Sequence, residues 1–458
     1  MRPSRFLALV FAGPPVLFGA CFSKETSGPD ATVDAPYSEV DGAFGTAFCE
    51  LPGSLVFGAN GTTTLVAGGE SAPALTWMTL PAGFCAHYFA NVPTPRQIRF
   101  APGGELFVAS PSTATAGGAP PGLGAVIVLA DDNFDGYADG QPHNLPVFLG
   151  NLPSTQGIAF SPGSFYYQNG TSIMILPYAT GERTAPGVGA QLADITIYES
   201  STHWPKTIDV ADDGTIYAGN GGDQSEVCAD TQFPRPFHGG ILRIDGTAGG
   251  TPVAQGLRNP ISIRCQHGHN LCFSVELALD GSGGTVGREK LVPIRDGDDW
   301  GFPCCATTNV PYDNVGTPNC SDVPPENVAF IVGDTPFGFD FEPGLWPAPY
   351  TNNILLALHG AFGSWHGERV VAIPTQPNGL PVTMSEIDAG FPGQVDFATG
   401  WDDGQSDHGR PAAATFAADG RLFIANDVNG DIFWIAPTTL NAAPQKDASV
   451  DANADVGD

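Results

Sequence analysis

Positive charge is what this sequence most lacks: 18 lysines and arginines face 48 aspartates and glutamates in a chain of 458 residues, a formal net charge of −30. A surface of that sign repels a phosphate backbone, which excludes nucleic acid as a partner. Lysine is the rarest cation: Lys24 and Lys446 stand in the flanks, so the body keeps only Lys206 and Lys290. Long hydrophobic runs are missing as well. The run FLALVFAGPPVLFGA, from Phe6, is shorter than the roughly 20 residues a spanning helix needs, and no other stretch could cross a bilayer. Long helices are disfavoured, because Gly 59 and Pro 42 are about 22% of the chain.

What is present is a repeat. Six times an apolar strand meets a Gly, Pro or Asp turn and a second apolar strand. The pairs are RQIRFAPGGELFVA from Arg96, QGIAFSPGSFYY from Gln156, KTIDVADDGTIYAG from Lys206, NPISIRCQHGHNLCFSV from Asn259, PFGFDFEP running on to NILLAL from Pro336, and PAAATFAADGRLFIA from Pro411. A third strand follows each, at Ala125, Ser172, Gly239, Glu289, Glu368 and Gly430. One such sheet cannot bury both faces, whereas a ring of them can. The expectation is an all-β, six-bladed β-propeller over residues 80–437, with an extra N-terminal segment at 46–79 and disordered acidic flanks at 22–45 and 438–458.

Residues 1–21 read as an export signal: Arg2 and Arg5 precede the apolar run, which ends LFGAC and so resembles a bacterial lipobox with Cys21 as the lipidated residue. The expected location is the cell envelope, periplasmic or on the outer-membrane or cell-surface side, with membrane contact only through that anchor. Eight further cysteines, an even set, suggest disulfides. Cys265 and Cys272 flank one turn and are the easiest pair to close; Cys305 with Cys320 would staple the loop after the fourth blade. The other pairings stay open. A zinc site at Cys304 and Cys305 has the wrong spacing.

Polar residues recur at the entrances of the inner strands: Arg96, Gln97, Gln156, His203, Lys206, Arg258, Asn259 and Arg410. A propeller gathers these positions at one mouth of its channel, where Arg, Lys, Asn and His suit a polyanionic ligand and a proton acceptor. Separately, Asp131, Asn133, Asp135 and Asp139, with Gly136 at the bend, have the spacing of a calcium loop and are expected to hold a structural Ca²⁺.

The runs LPAGFCAHYFANVPTPRQIRFAPGGELFVA, DDNFDGYADG, HWPKTIDVADDGTIYAGN, GLRNPISI, DDWGFPCC, LHGAFGSW and GRPAAATFAADGRLFIAND follow one another in an order that resembles the sorbosone and soluble aldose dehydrogenases that use pyrroloquinoline quinone (PQQ). The resemblance spans roughly Leu80 to Ile435. It implies a six-bladed propeller carrying PQQ over the channel mouth, a small sugar as substrate, and an external electron acceptor. His203 matches the general base; Lys206, Arg258, Asn259 and Arg410 match cofactor-contacting positions, and His359 falls in a channel-facing motif. Where relatives carry other residues this chain has VELALD and REKL, and the main-chain oxygens of Leu277 and Ala278 stand where the PQQ-associated Ca²⁺ would be held. A hydroxyl must lose its proton while hydride leaves carbon, which suits a neutral histidine. Two other readings remain: a propeller without catalysis that binds glycan or protein in the envelope, and a calcium-dependent lactone hydrolase.

Overall fold

The computed structural model describes residues 47–440 apart from 70–71, 112–122, 141–144, 199–202, 223–227, 229–236, 248, 280–287, 313–315, 361–366, 384–385, 388–392 and 403–407. Cys21, the leader and the acidic flanks therefore lie outside the described residues, except for 438–440. Six sheets radiate as the blades of a propeller, five of four strands and one of six, with a separate two-stranded ribbon. Their inner strands are Gln97–Phe100, Ile158–Ser161, Ile208–Val210, Asn259–Gln266, Pro336–Phe341 and Pro411–Phe416, blades one to six in chain order.

Within a blade the chain runs outward strand by strand. In blade one, Gln97 pairs with Ala109, Ser110 with Ala125, and Gly124 with Leu152. The turns into the second strand need backbone that L-residues avoid, and glycine supplies it: Gly214 and Gly420 have φ of +83° and +91°. Second strands such as Leu106–Ser110 and Ile354–Leu358 are buried along their whole length, since a neighbouring blade covers each face. The hydrophobic core is accordingly divided into wedges between blades. Phe107, Phe148, Phe165 and Tyr167 fill the one between blades one and two, and Phe337, Phe339, Leu356 and Val275 the one between four and five.

The ring closes in blade six, where Asp431–Pro437 pairs with Phe84–Asn91 from the start of the body. The segment ahead of it adds two more strands at the outer edge, Leu55–Phe57 on Phe84–Ala86 and then Thr63–Leu65. Cys49–Cys85 ties this addition down, and Trp434 stacks on the His87 ring at 4.8 Å. Cys265–Cys272 and Cys305–Cys320 are formed as expected, and Cys228–Cys304 is the fourth disulfide. No described helix is long and apolar enough to cross a membrane.

Candidate functional site at one mouth of the ring

Because strands alternate in direction, the start of each inner strand, the end of each second strand and the start of each third strand face the same mouth. Polar groups from all three positions meet there. In the sector of blades two to four, His203 is buried and donates Nδ1–H to the carbonyl of Gly222 at the end of a second strand. Lys206, 1% exposed, reaches back with Nζ to the His203 carbonyl at 3.1 Å. Gly222 N–H donates to the carbonyl of Arg258 at 2.7 Å, which places the entrance of blade four against the histidine loop. Gly221 is obligatory between them: a Cβ there would overlap His203 Cβ and lie 3.1 Å from the Arg258 carbonyl.

Arg258 is held from two directions. Its amide donates to Glu276 Oε1 at 3.0 Å, and its guanidinium Nη1 donates to the carbonyl of Ala278 at 2.6 Å. Glu276 in turn pairs with Lys290 at 3.2 Å, both almost wholly buried. Asn259 is the cross-strand partner of Leu277. Tyr312, buried against this group, has its phenol pushed far above the usual range by burial and by the nearby Glu276 charge.

The sector of blades five, six and one turns on Asp427. Its carboxylate accepts from His359 Nε2 at 3.0 and 3.1 Å and pairs with Arg96 Nε at 3.1 Å. Burial works to raise its pKa, but the charges of His359, Arg96 and Arg410 outweigh that and hold it at about 2. The Phe337 ring stacks on His359 at 4.8 Å and carries the Arg96 guanidinium at 5.2 Å. Arg410 donates to the Gly360 carbonyl and pairs with Glu368, both at 2.9 Å. A bridge joins the sectors: Glu289 accepts from Thr335 N–H, and His359 N–H donates to the Thr335 carbonyl at 2.9 Å.

Below the mouth the axis is closed by charge. Arg264 forks onto Asp340 at 2.6 and 3.1 Å and pairs with Asp209 at 3.5 Å. Arg99 crosses the axis to the Ile263 carbonyl at 3.1 Å, and Gln156 crosses to the Ile261 carbonyl at 3.0 Å. Burial and the Arg264 charge pull Arg99 down to about 9, while Asp209 and Asp340 work the other way. The space left on the axis beside Arg96, Gln156 and Phe337 is about 10 Å³, the room of a single water.

The structure thus brings His203, Lys206, Arg258 and Asn259 into one sector and His359 and Arg410 into the other. Sequence reasoning missed Glu276, Glu368 and Asp427, which balance those cations, and the axial set Arg99, Asp209, Arg264 and Asp340. A signal for the axial set was available, since charges interrupt the otherwise apolar inner strands QIRF, IDV, ISIRC and FGFDF.

The Asp131 loop is closed by its own hydrogen bonds. Among the described residues no group of three or more His, Cys, Asp or Glu side chains is arranged to hold a metal ion. Asp131 accepts from the amides of Asp135 and Gly136, Asp135 from Tyr137, and Asp139 from Asp132, while Asn133 donates to Asp135. Arg421 stands 3.8 Å from Asp131. These bonds set the shape of the turn that carries the four residues, and burial together with the neighbouring Asp135 charge raises Asp131 to about 6.

Residues 70–276 match the profile of a domain of unknown function, DUF7133, and no curated protein matches the sequence. Solved structures share the fold. A calcium-containing structure of a carbohydrate-active enzyme of family AA12 from Trichoderma reesei superposes with a TM-score of 0.62 at 17% identity, over 79% of this chain and 97% of that one. The PQQ domain of pyranose dehydrogenase from Coprinopsis cinerea, in its holo form, gives 0.60 at 19% identity, over 78% and 96%. A PQQ-bound aldose sugar dehydrogenase from Streptomyces coelicolor gives 0.51 at 17% identity, over 78% and 99%.

Proposed function

We propose that this propeller is a PQQ-dependent dehydrogenase that oxidises an aldose or aldehyde sugar to lactone or acid and passes the electrons to an external acceptor. The observation that carries the reading is His203: its Nδ1–H is given to the Gly222 carbonyl, so in the neutral ring Nε2 is the basic nitrogen, and Lys206 and Arg258 adjoin it. The names of the structural neighbours, sugar dehydrogenases that bind PQQ, support it.

The residues present fit an anionic quinone. Arg258, Lys206, Arg96 and Arg410 supply positive charge from four blades, each fixed by a carbonyl or carboxylate before any ligand arrives. Two buried acceptors without a hydrogen-bond partner among the described residues, Asn220 Oδ1 and Gln156 Oε1, suit an ordered water. When bound, the quinone supplies the two-electron acceptance. The chain's own part is to orient the substrate hydroxyl, to take its proton on His203 Nε2, and to hold cations where negative charge grows.

The test is reconstitution. Apoprotein given PQQ and Ca²⁺ should reduce an artificial dye with some aldose, and His203→Ala should lower the rate by about 10²–10⁴. Saturating PQQ with neither binding nor turnover refutes the reading. A second reading, an envelope module that binds glycan or protein without catalysis, is favoured by the fact that these mouth cations are already bonded within the protein. Ligand binding unaffected by His203→Ala would support it. Lactone hydrolysis is disfavoured, since no described cluster of acidic side chains is arranged to hold its metal. The cell-envelope location rests on the leader and Cys21, and metabolic labelling with a fatty acid, lost in Cys21→Ala, tests the anchor.

A further inference from the structure

The resemblance to PQQ-dependent dehydrogenases implies a calcium ion beside the quinone on the main-chain oxygens of Leu277 and Ala278, yet in the structure the Ala278 oxygen accepts a hydrogen bond from Arg258 Nη1 at 2.6 Å. A Ca²⁺ held at its usual 2.3–2.6 Å on the same oxygen would stand a few ångström from that guanidinium. The surroundings do not soften this conflict. Glu276, the nearest carboxylate, is occupied by the Arg258 amide and by Lys290, and Glu289 by the Thr335 amide. Three cations, Arg258, Lys206 and Lys290, already stand against two carboxylates, Glu276 and Glu289, in this sector, which leaves no surplus negative charge for a divalent ion. No further group of metal-ligating side chains is present among the described residues. A divalent ion at Ala278 does not fit.

We infer that Arg258 takes the role of that ion: its guanidinium, anchored on the Ala278 carbonyl, presents the positive charge to an anionic quinone, and the site loads without calcium. This rests on the functional reading above. A planar guanidinium suits the purpose, because it is charged at every working pH and can bond a carbonyl on one edge and a ligand oxygen on another. Lys290 is a positioning residue in this scheme. It neutralises Glu276, which would otherwise compete with the quinone for Arg258.

The experiment is a PQQ titration, followed by absorbance and calorimetry, on the full chain stripped with EDTA, with and without 1 mM Ca²⁺ (a concentration of roughly the upper range for extracellular calcium sites). The expected dissociation constants agree within about twofold. Arg258→Ala should weaken PQQ binding by at least about tenfold in EDTA, and calcium should recover most of the loss, because Ala278 O is then open to the ion. A tenfold or greater tightening of the unmodified chain by calcium overturns the inference. Calcium calorimetry without PQQ separates this from the functional reading. Arg258→Ala, or Arg258→Gln if the alanine variant does not fold, should gain a calcium site that the unmodified chain lacks. Equal calcium stoichiometry in variant and parent overturns the inference, and absence of PQQ binding in every condition overturns only the functional reading.

Discussion

The axial charge set makes a demand on stability that can be measured without knowing any ligand. Asp340, 5% exposed, receives Arg264 at 2.6 and 3.1 Å, the Thr415 hydroxyl at 3.0 Å and the Phe416 amide at 2.8 Å. Burial works to raise its pKa, and the Arg264 charge and hydrogen bonds outweigh that and hold it below the ordinary carboxylate range. Replacing Asp340 by Ala leaves Arg264 buried with Asp209 at 3.5 Å as its remaining counter-charge and Arg99 as a like-charged neighbour. Breaking one side of a buried pair costs about 3–5 kcal/mol. With an unfolding entropy of about 2.1 cal/mol/K per residue over roughly 390 residues, that lowers Tm by about 4–6 °C. Scanning calorimetry on the purified chain reads the shift. The double variant Arg264→Leu with Asp340→Leu removes both charges and leaves Arg99 beside Asp209, so it should recover at least half of the loss. A single variant that melts within about 1 °C of the parent, or a double variant worse than the single, would refute the view that paired charge closes the axis.

Three further outcomes follow from the mouth. His203→Ala should lower PQQ-dependent kcat by about 10²–10⁴ with the fold intact by circular dichroism, the range for loss of a general base. Gly221→Ala, whose Cβ overlaps His203 Cβ, should displace the imidazole and reduce turnover by about 10² while leaving the four disulfides in place; unchanged turnover would show that this spacing does not matter. Asp427, held at about 2 against an ordinary 3.8, binds its proton less readily folded than unfolded. Its contribution, about 2 kcal/mol, is therefore present above pH 4 and lost as pH falls through 2. Asp427→Asn should be less stable than the parent at pH 7 and converge with it near pH 2 in acid unfolding curves.

The ring was legible because each blade repeats the same local code: period-two apolar strands, a glycine turn, and a polar residue just before the inner strand. That last feature marked Arg96, His203, Lys206, Arg258 and Arg410 as mouth residues, and they do stand at strand entrances in the structure. Their partners were not legible. Asp427 directly follows the second strand Leu422–Asn426 of blade six but serves Arg96 of blade one and His359 of blade five. Which acid answers which base is settled by how neighbouring blades abut, and a single sequence carries no record of that pairing. The Asp131 loop is ambiguous in the sequence for a related reason. Its spacing suits a calcium shell and an Asx-rich turn equally well, and only the direction of the carboxylates separates the two.

The strand Phe84–Asn91 lies near one end of the chain, and its partner Asp431–Pro437 near the other. A ribosome or a translocon delivers them hundreds of residues apart in time. Until the last hairpin emerges, blade six has only its outer strands and the wedge against blade five lacks Ile424, Phe433 and Ile435. A chain clipped before residue 411 thus forfeits the circle itself and not merely one segment of it, and leaves an apolar seam exposed.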